Sequence, residues 1–190
     1  MKTSSSGRRA TSRGRALAAS VVLVRVFAVA CGACGGSAPA KGAPPGASIP
    51  SLSPPVEFAF DSLDERAVTS ATTRGKPTVL AFITTSSLSA QAQVDFLMAM
   101  AKNDGDHVHY AAVALEGVEG RELVELYKKA LSIPFPVALA DARTQAGGSV
   151  FGDVSAVPVT VLLDGAGRIA WRIDGRVVKS EELRRELRGL

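Results

Sequence analysis

The chain has 190 residues, 46% of them hydrophobic, enough for one domain of ordinary size with a real core. Its formal charge is +4, from 22 Lys and Arg against 18 Asp and Glu, but six basic residues (Lys2, Arg8, Arg9, Arg13, Arg15 and Arg25) fall in the first 30 positions, which hold no acid. Without those six the chain carries 16 basic against 18 acidic residues, so the electrostatic case for a nucleic-acid partner fails.

Residues 1–30 have the layout of a secretory signal peptide: a basic start, an apolar stretch over 16–30 interrupted by Arg25, then small residues. The stretch is too short for a membrane span, which takes roughly 20 apolar residues. Arg8 and Arg9 form a pair like that of twin-arginine export signals, without the hydrophobic residues that usually follow it. The segment closes on AVAC, and Cys31 after small residues resembles the lipobox of bacterial lipoproteins, with Ala28 where that family prefers Leu. The resemblance implies acylation of Cys31 and a membrane tether in the cell envelope. An exported protein without lipid, or an uncleaved anchor, are the alternatives. Gly32 stands where lipoproteins kept at the inner membrane commonly carry Asp, so the same resemblance favours the outer membrane, with the protein facing the periplasm.

Cys31 and Cys34 are spaced CxxC, which in another setting points to a redox or metal site. Here they lie at the signal junction, with neither the strand before nor the helix after that such a motif needs, and lipidation of Cys31 leaves Cys34 a lone thiol. Residues 32–55 are dominated by Gly, Ala, Ser and Pro with a single Lys41. Such a composition buries too little apolar surface to offset ordering, so it predicts a flexible linker with a reach of about 25–30 Å. The chain thus divides into a signal peptide over 1–30, a lipidated cysteine and linker over 31–55, and one domain over 56–190.

Within the domain, VEFAFDSL and RAVTS predict two short strands around a turn at Asp64 and Glu65. PTVLAFI is a continuous apolar run of β-formers, the mark of a strand buried on both faces. A helix follows, its core stripe being Ala90, Val94, Leu97, Met98 and Ala101. VHYAAVAL predicts a second central strand, and a helix from about Gly120 turns Leu123, Leu126, Tyr127, Ala130 and Leu131 to the core. This alternation argues for right-handed βαβ crossovers and a parallel centre. VTVLLD and RIAWRI, separated by GAG, predict an antiparallel hairpin, with Trp171 packed inside it. A last helix starts at Ser180 as N-cap, with Glu181 and Glu182 in its first turn and Leu183, Leu187 and Leu190 facing the core. Its RRELRGL end is a mixed-charge outer face, since Glu181, Glu182 and Glu186 interleave with the arginines.

Three stretches carry a resemblance to a known family. GKPTVLAF is similar to the strand before the active site in the TlpA/ResA group of thioredoxin-like, membrane-associated thiol–disulfide proteins. SAVPVTVLLDGAGRIAWRIDG resembles that group's second signature, and FPVALADARTQAGGSVFGDVSAVP holds its Phe-Pro, Asp and aromatic-Gly landmarks between them. The resemblance implies an α/β thioredoxin fold: a central mixed sheet flanked by helices, here with an N-terminal β extension. No cofactor or metal comes with it.

That family carries Trp-Cys-x-x-Cys at the start of the first long helix, where the helix dipole and free N–H groups lower the first thiol's pKa and create the attacking thiolate. Laid on this chain, the tryptophan position is Ser86, the cysteine positions are Ser87 and Ala90, Leu88 and Ser89 lie between, and an acid that assists some members falls on Gln93. A serine hydroxyl cannot form a disulfide and needs an adjacent base for acyl transfer. The only histidines, His107 and His109, start the second strand; two apart, they share one strand face, which suits a metal pair or a solvated strand end. A peroxiredoxin reading from Thr84 fails because the reactive position is again Ser87, and copper delivery needs the missing cysteines. Ser87 is expected to cap the helix or fill the turn.

Pro158 corresponds to the cis-proline that faces the active turn in thioredoxin-like proteins. With Ser86, Ser87 and Val157 it would border a groove for an extended peptide of another envelope protein, or survive there for structural reasons alone. The resulting expectation is a lipid-anchored envelope protein without dithiol chemistry, acting as a binding or scaffold module. A thiol–disulfide oxidoreductase or antioxidant, and a purely structural lipoprotein, are the alternatives.

Overall fold

The computed structural model describes residues 53–190. The signal segment, Cys31, Cys34 and the linker up to residue 52 lie outside the described residues.

The run Thr78–Ile83 becomes β3, and all six of its residues are buried. It pairs in parallel with β4 (His109–Ala114) on one side and antiparallel with β6 (Val159–Leu163) on the other. β4 pairs in parallel with β5 (Val137–Leu139), and β5 antiparallel with β1 (Ala59–Ser62), which carries β2 (Val68–Thr69) at the edge. β7 (Ile169–Ile173) closes the other edge against β6. The result is one seven-stranded mixed sheet in the order β2-β1-β5-β4-β3-β6-β7, with the N-terminal hairpin as an extension.

Two layers cover the sheet. On one face, α2 (Leu88–Asp104), α3 (Arg121–Leu131) and α5 (Ser180–Leu187) bury Ala90, Val94, Leu97, Met100, Val124 and Leu183 over β3 and β4, together with Trp171 from the hairpin. The two crossovers β3-α2-β4 and β4-α3-β5 step the same way across the sheet, so right-handedness puts both helices on the same face. The other face is closed by α1 (Ser70–Thr73), α4 (Ala142–Gln145) and the loop before β6, whose Phe151 and Val154 are buried. Phe151 stands 5.3 Å from the Phe82 ring and 5.2 Å from that of Phe58. The guanidinium of Arg172 on β7 donates to the carbonyls of Phe151 and Asp153, fastening this loop to the sheet. The elements α1, α4 and β5, four residues or fewer each, are too short to show a period in the sequence.

Several expected details are corrected. In α3 the inward stripe is Val124, Tyr127 and Leu131; Leu123 and Leu126 are 54% and 58% exposed, and Ala130 also faces out. The helix carries two apolar stripes about 100° apart, and only the sheet beneath it selects one. Ser180 is the first residue of α5, the N-cap being Lys179, and no side chain caps that end. Leu190 is half exposed past the end of α5. His107 belongs to a single 3₁₀ turn before β4, so it does not share a strand face with His109.

The β1-β2 turn is held to α3 through Asp64, which accepts from Arg66 and from Lys128 Nζ at 2.5 Å. Burial pushes the Asp64 carboxyl up, but the hydrogen bonds from Arg66 and Lys128 outweigh it and hold it well below the usual carboxylate range. A depressed pKa contributes stability above the unfolded value and loses it as pH falls through the folded one.

Two outcomes follow from this packing. Val124→Ala should cost about 2 kcal/mol in urea unfolding, and Leu126→Ala should stay within about 0.5 kcal/mol. Asp64→Asn should lower stability by on the order of 1 kcal/mol near neutral pH, a difference that shrinks as pH drops below about 4.

Candidate functional site

The sheet geometry brings the two halves of the expected groove to one end. β3 and β6 pair antiparallel with Phe82 opposite Val159, so the turn leaving β3 and the Val157–Pro158 step entering β6 are neighbours. The Val157–Pro158 peptide bond is cis. The Pro158 carbonyl accepts from Gly175 N–H at 3.0 Å, which ties this step to the segment after β7. The Val157 N–H donates to the Ser155 carbonyl at 3.1 Å, closing a three-residue turn. An incoming strand would therefore have to take that donor from Ser155.

Ser87 is the N-cap of α2: its backbone is extended, and its Oγ accepts from the Ala90 N–H at 3.2 Å. The Ser89 hydroxyl lies 2.9 Å from Ser87 Oγ. Ala90, at the resolving-thiol position, is fully buried under the helix. Ser86 is exposed, and Leu88, the first helical residue, is 84% exposed. The turn thus places a hydroxyl at a helix N-terminus, where a thiol would be acidified, but the group has no chemistry that the dipole can activate to a disulfide-forming species.

Gln93 is one turn further along α2 and fully buried. Its Oε1 accepts from the Val178 N–H at 2.6 Å, and its Nε2 donates to the Val178 carbonyl at 3.4 Å. The side chain brackets the backbone of one residue, Val178, before α5, and α2 is thereby joined to the C-terminal segment. The Gln93 side chain is a neutral amide used at both ends for structure.

No base approaches Ser87 from the histidines. His109 pairs with Thr78 at the amino end of β3, whereas Ser87 follows its carboxyl end. Six strand residues separate these ends by on the order of 20 Å. Burial, and then the charge of Lys76, lower the His109 pKa, with Asp106 opposing.

Glu116 is the residue that sequence reasoning missed. It lies in the loop after β4, and its Oε1 accepts from Thr85 N–H at 2.6 Å and Thr85 Oγ1 at 2.7 Å, so it holds the turn that carries Ser86 and Ser87. Its Oε2 is buried with no partner among the described residues, as is the Tyr127 hydroxyl. Burial pushes the Tyr127 hydroxyl up, and the charges of Asp95 and Glu116 add to it. The signal in the sequence was the acid two residues past a buried strand, at the carboxyl end of a parallel sheet, where α/β folds place their sites. Trp171 is core packing, 1% exposed and paired across the hairpin with Leu162.

Removal of the amide at position 93 takes the Gln93 partner from both backbone polar groups of the buried Val178. Gln93→Leu should cost about 1–3 kcal/mol in denaturant unfolding, whereas Ser87→Ala, which loses only a cap, should cost about 1 kcal/mol.

No protein-family model matches the chain, and no curated protein sequence does. Solved structures do. A DsbF homologue from Corynebacterium diphtheriae is 20% identical with a TM-score of 0.66, over 79% of this chain and 96% of that one. A thiol:disulfide interchange protein of the thioredoxin family from Chlorobium tepidum is 19% identical with a TM-score of 0.61, over 77% and 97%. A thiol–disulfide isomerase from Corynebacterium glutamicum is 18% identical with a TM-score of 0.61, over 72% and 95%. At these identities the likeness is one of architecture, and by that architecture the domain over residues 53–190 has the thioredoxin fold.

Proposed function

We propose that this chain is an exported envelope protein of the TlpA/ResA type whose thioredoxin domain binds rather than catalyses. In this reading Cys31 carries the lipid, and the groove beside Ser87 and Pro158 receives an extended segment of another envelope protein. The observation that carries it is the occupancy of the redox positions: a capping serine, a buried alanine and a bracketing glutamine replace nucleophile, resolving thiol and acid. The domain has no cysteine at all, since the two in the chain are Cys31 and Cys34. Thiolate attack on a disulfide has no donor of electrons there.

The fold around the missing chemistry supports retention of a docking role. The cis step, the turn from β3 and the exposed start of α2 still converge at one sheet end. Strand addition there would exchange the bent Val157–Ser155 bond for an intermolecular one, a rearrangement within a single residue. Export and tethering rest on the signal layout and on Cys31.

A second reading is favoured by the structural neighbours named as thiol–disulfide proteins: an oxidoreductase using Cys31 and Cys34 as its dithiol. The two readings part in one assay. The full chain, purified after export, should reduce insulin at the background rate. It should also select peptides from an extended 12-residue library, and Ser87→Trp with Val157→Trp should weaken the selected peptides by about tenfold or more at unchanged melting temperature. Insulin turnover above background, or equal peptide binding by the double variant, overturns the proposal.

A further inference from the structure

At the sheet end opposite Ser87 a cavity of about 970 Å³ opens between the last turns of α2 and the lead-ins to β4 and β5. We infer that this cavity is a binding site for an amphipathic organic anion, a compact aromatic or aliphatic body carrying one carboxylate or sulfonate. It is separate from the proposed peptide groove and does not depend on it.

The cavity has a built apolar floor. Tyr110 and Phe135 are 5% and 4% exposed, with ring centroids 6.3 Å apart, and Met98 and Val108 flank them. The floor is fixed in place because Tyr110 Oη donates to Asp104 Oδ2 at 2.5 Å, at the end of α2. The chain then turns through Gly105 at φ +52, where a Cβ would meet nothing within 4 Å, so this side of the opening stays clear. A volume of this order and a mostly apolar lining with a few polar groups are what small-molecule sites have in common.

The polar groups select the charge. Lys102 and His109 line the cavity, and neither side chain has an ion pair or hydrogen bond with a described residue. Lys76 stands close enough to His109 to disfavour its proton. Arg66, also on the rim, is occupied by Asp64 and the Pro134 carbonyl. The opposing charges are Glu65 and Asp106, exposed to water as Lys102 is, and the Asp104 carboxylate behind the floor, which Tyr110 Oη already engages. The carboxyl end of the α2 dipole also opposes an anion, but Gly105 N–H already satisfies the Ala101 carbonyl there. A cationic ligand would face Lys102 and Arg66, and a neutral one would offer Lys102 and the His109 N–H only a weaker, uncharged acceptor. An anion gains a charge-assisted hydrogen bond from each while its body covers Tyr110 and Phe135.

The test is titration of the isotope-labelled full chain with 2-naphthoate and with its neutral isostere 2-naphthamide, followed by NMR. Naphthoate should saturate one site, shift the Met98 methyl, Tyr110, Phe135 and His109 signals, and bind about tenfold more tightly than the amide. Lys102→Gln with His109→Gln should abolish that preference and leave amide binding unchanged, while Met98→Trp, which fills the cavity, should remove both at unchanged melting temperature. Equal affinity for the two probes, no saturation at millimolar concentration, or shifts confined to the Ser87 and Pro158 end each overturn the inference.

Discussion

Everything in this domain is hung on β3. A strand with all six residues buried must be hydrogen-bonded on both sides and packed on both faces, and here it takes β4, β6 and two cores at once. Its carboxyl end then fixes where α2 starts, and its antiparallel register with β6 fixes where the cis step lies. The juxtaposition of Ser87 and Pro158 is thus a consequence of sheet pairing, maintained whether or not chemistry occurs there.

Around that fixed end, groups that could have served catalysis serve attachment. Gln93 joins α2 to the segment before α5, Glu116 holds the turn through Thr85, and Ser87 closes the helix it begins. Each uses a polar atom near the site to satisfy a backbone donor, which is what buried polar groups require. Glu116 Oε2 and Tyr127 Oη, without a partner among the described residues, show where this satisfaction stops. A turn built this way is held by hydrogen bonds and needs no disulfide to fix it.

The two ends of the sheet have diverged in character. At one end a hydroxyl-lined turn meets a bent peptide step; at the other, an aromatic floor lies under the Lys102 and His109 side chains, which have no partner among the described residues. The aromatic cluster of Phe58, Phe60, Phe82 and Phe151 packs the face between them, and Arg172 fastens the loop that carries Phe151. The two ends are separated by the length of β3.

The chain's order of elements was legible because its long segments carry strong periods: β3 as an unbroken apolar run, α2 as a single stripe, β6 and β7 as a hairpin around Gly residues. The absence of cysteine from residues 53–190 was legible too, because it is a matter of residue identity: no fold supplies a thiol to a domain that has none. The face of α3 was not, since Leu123, Val124, Leu126, Tyr127, Ala130 and Leu131 allow two stripes and only contact with the sheet chooses Val124. Nor were the roles of Gln93, Glu116 and His109, which depend on partners 85 and 31 residues away or on a cavity shared by several elements. Local sequence sets conformational preference within a few residues, whereas hydrogen-bond partners and cavities across a sheet exist only once tertiary packing has brought distant segments together.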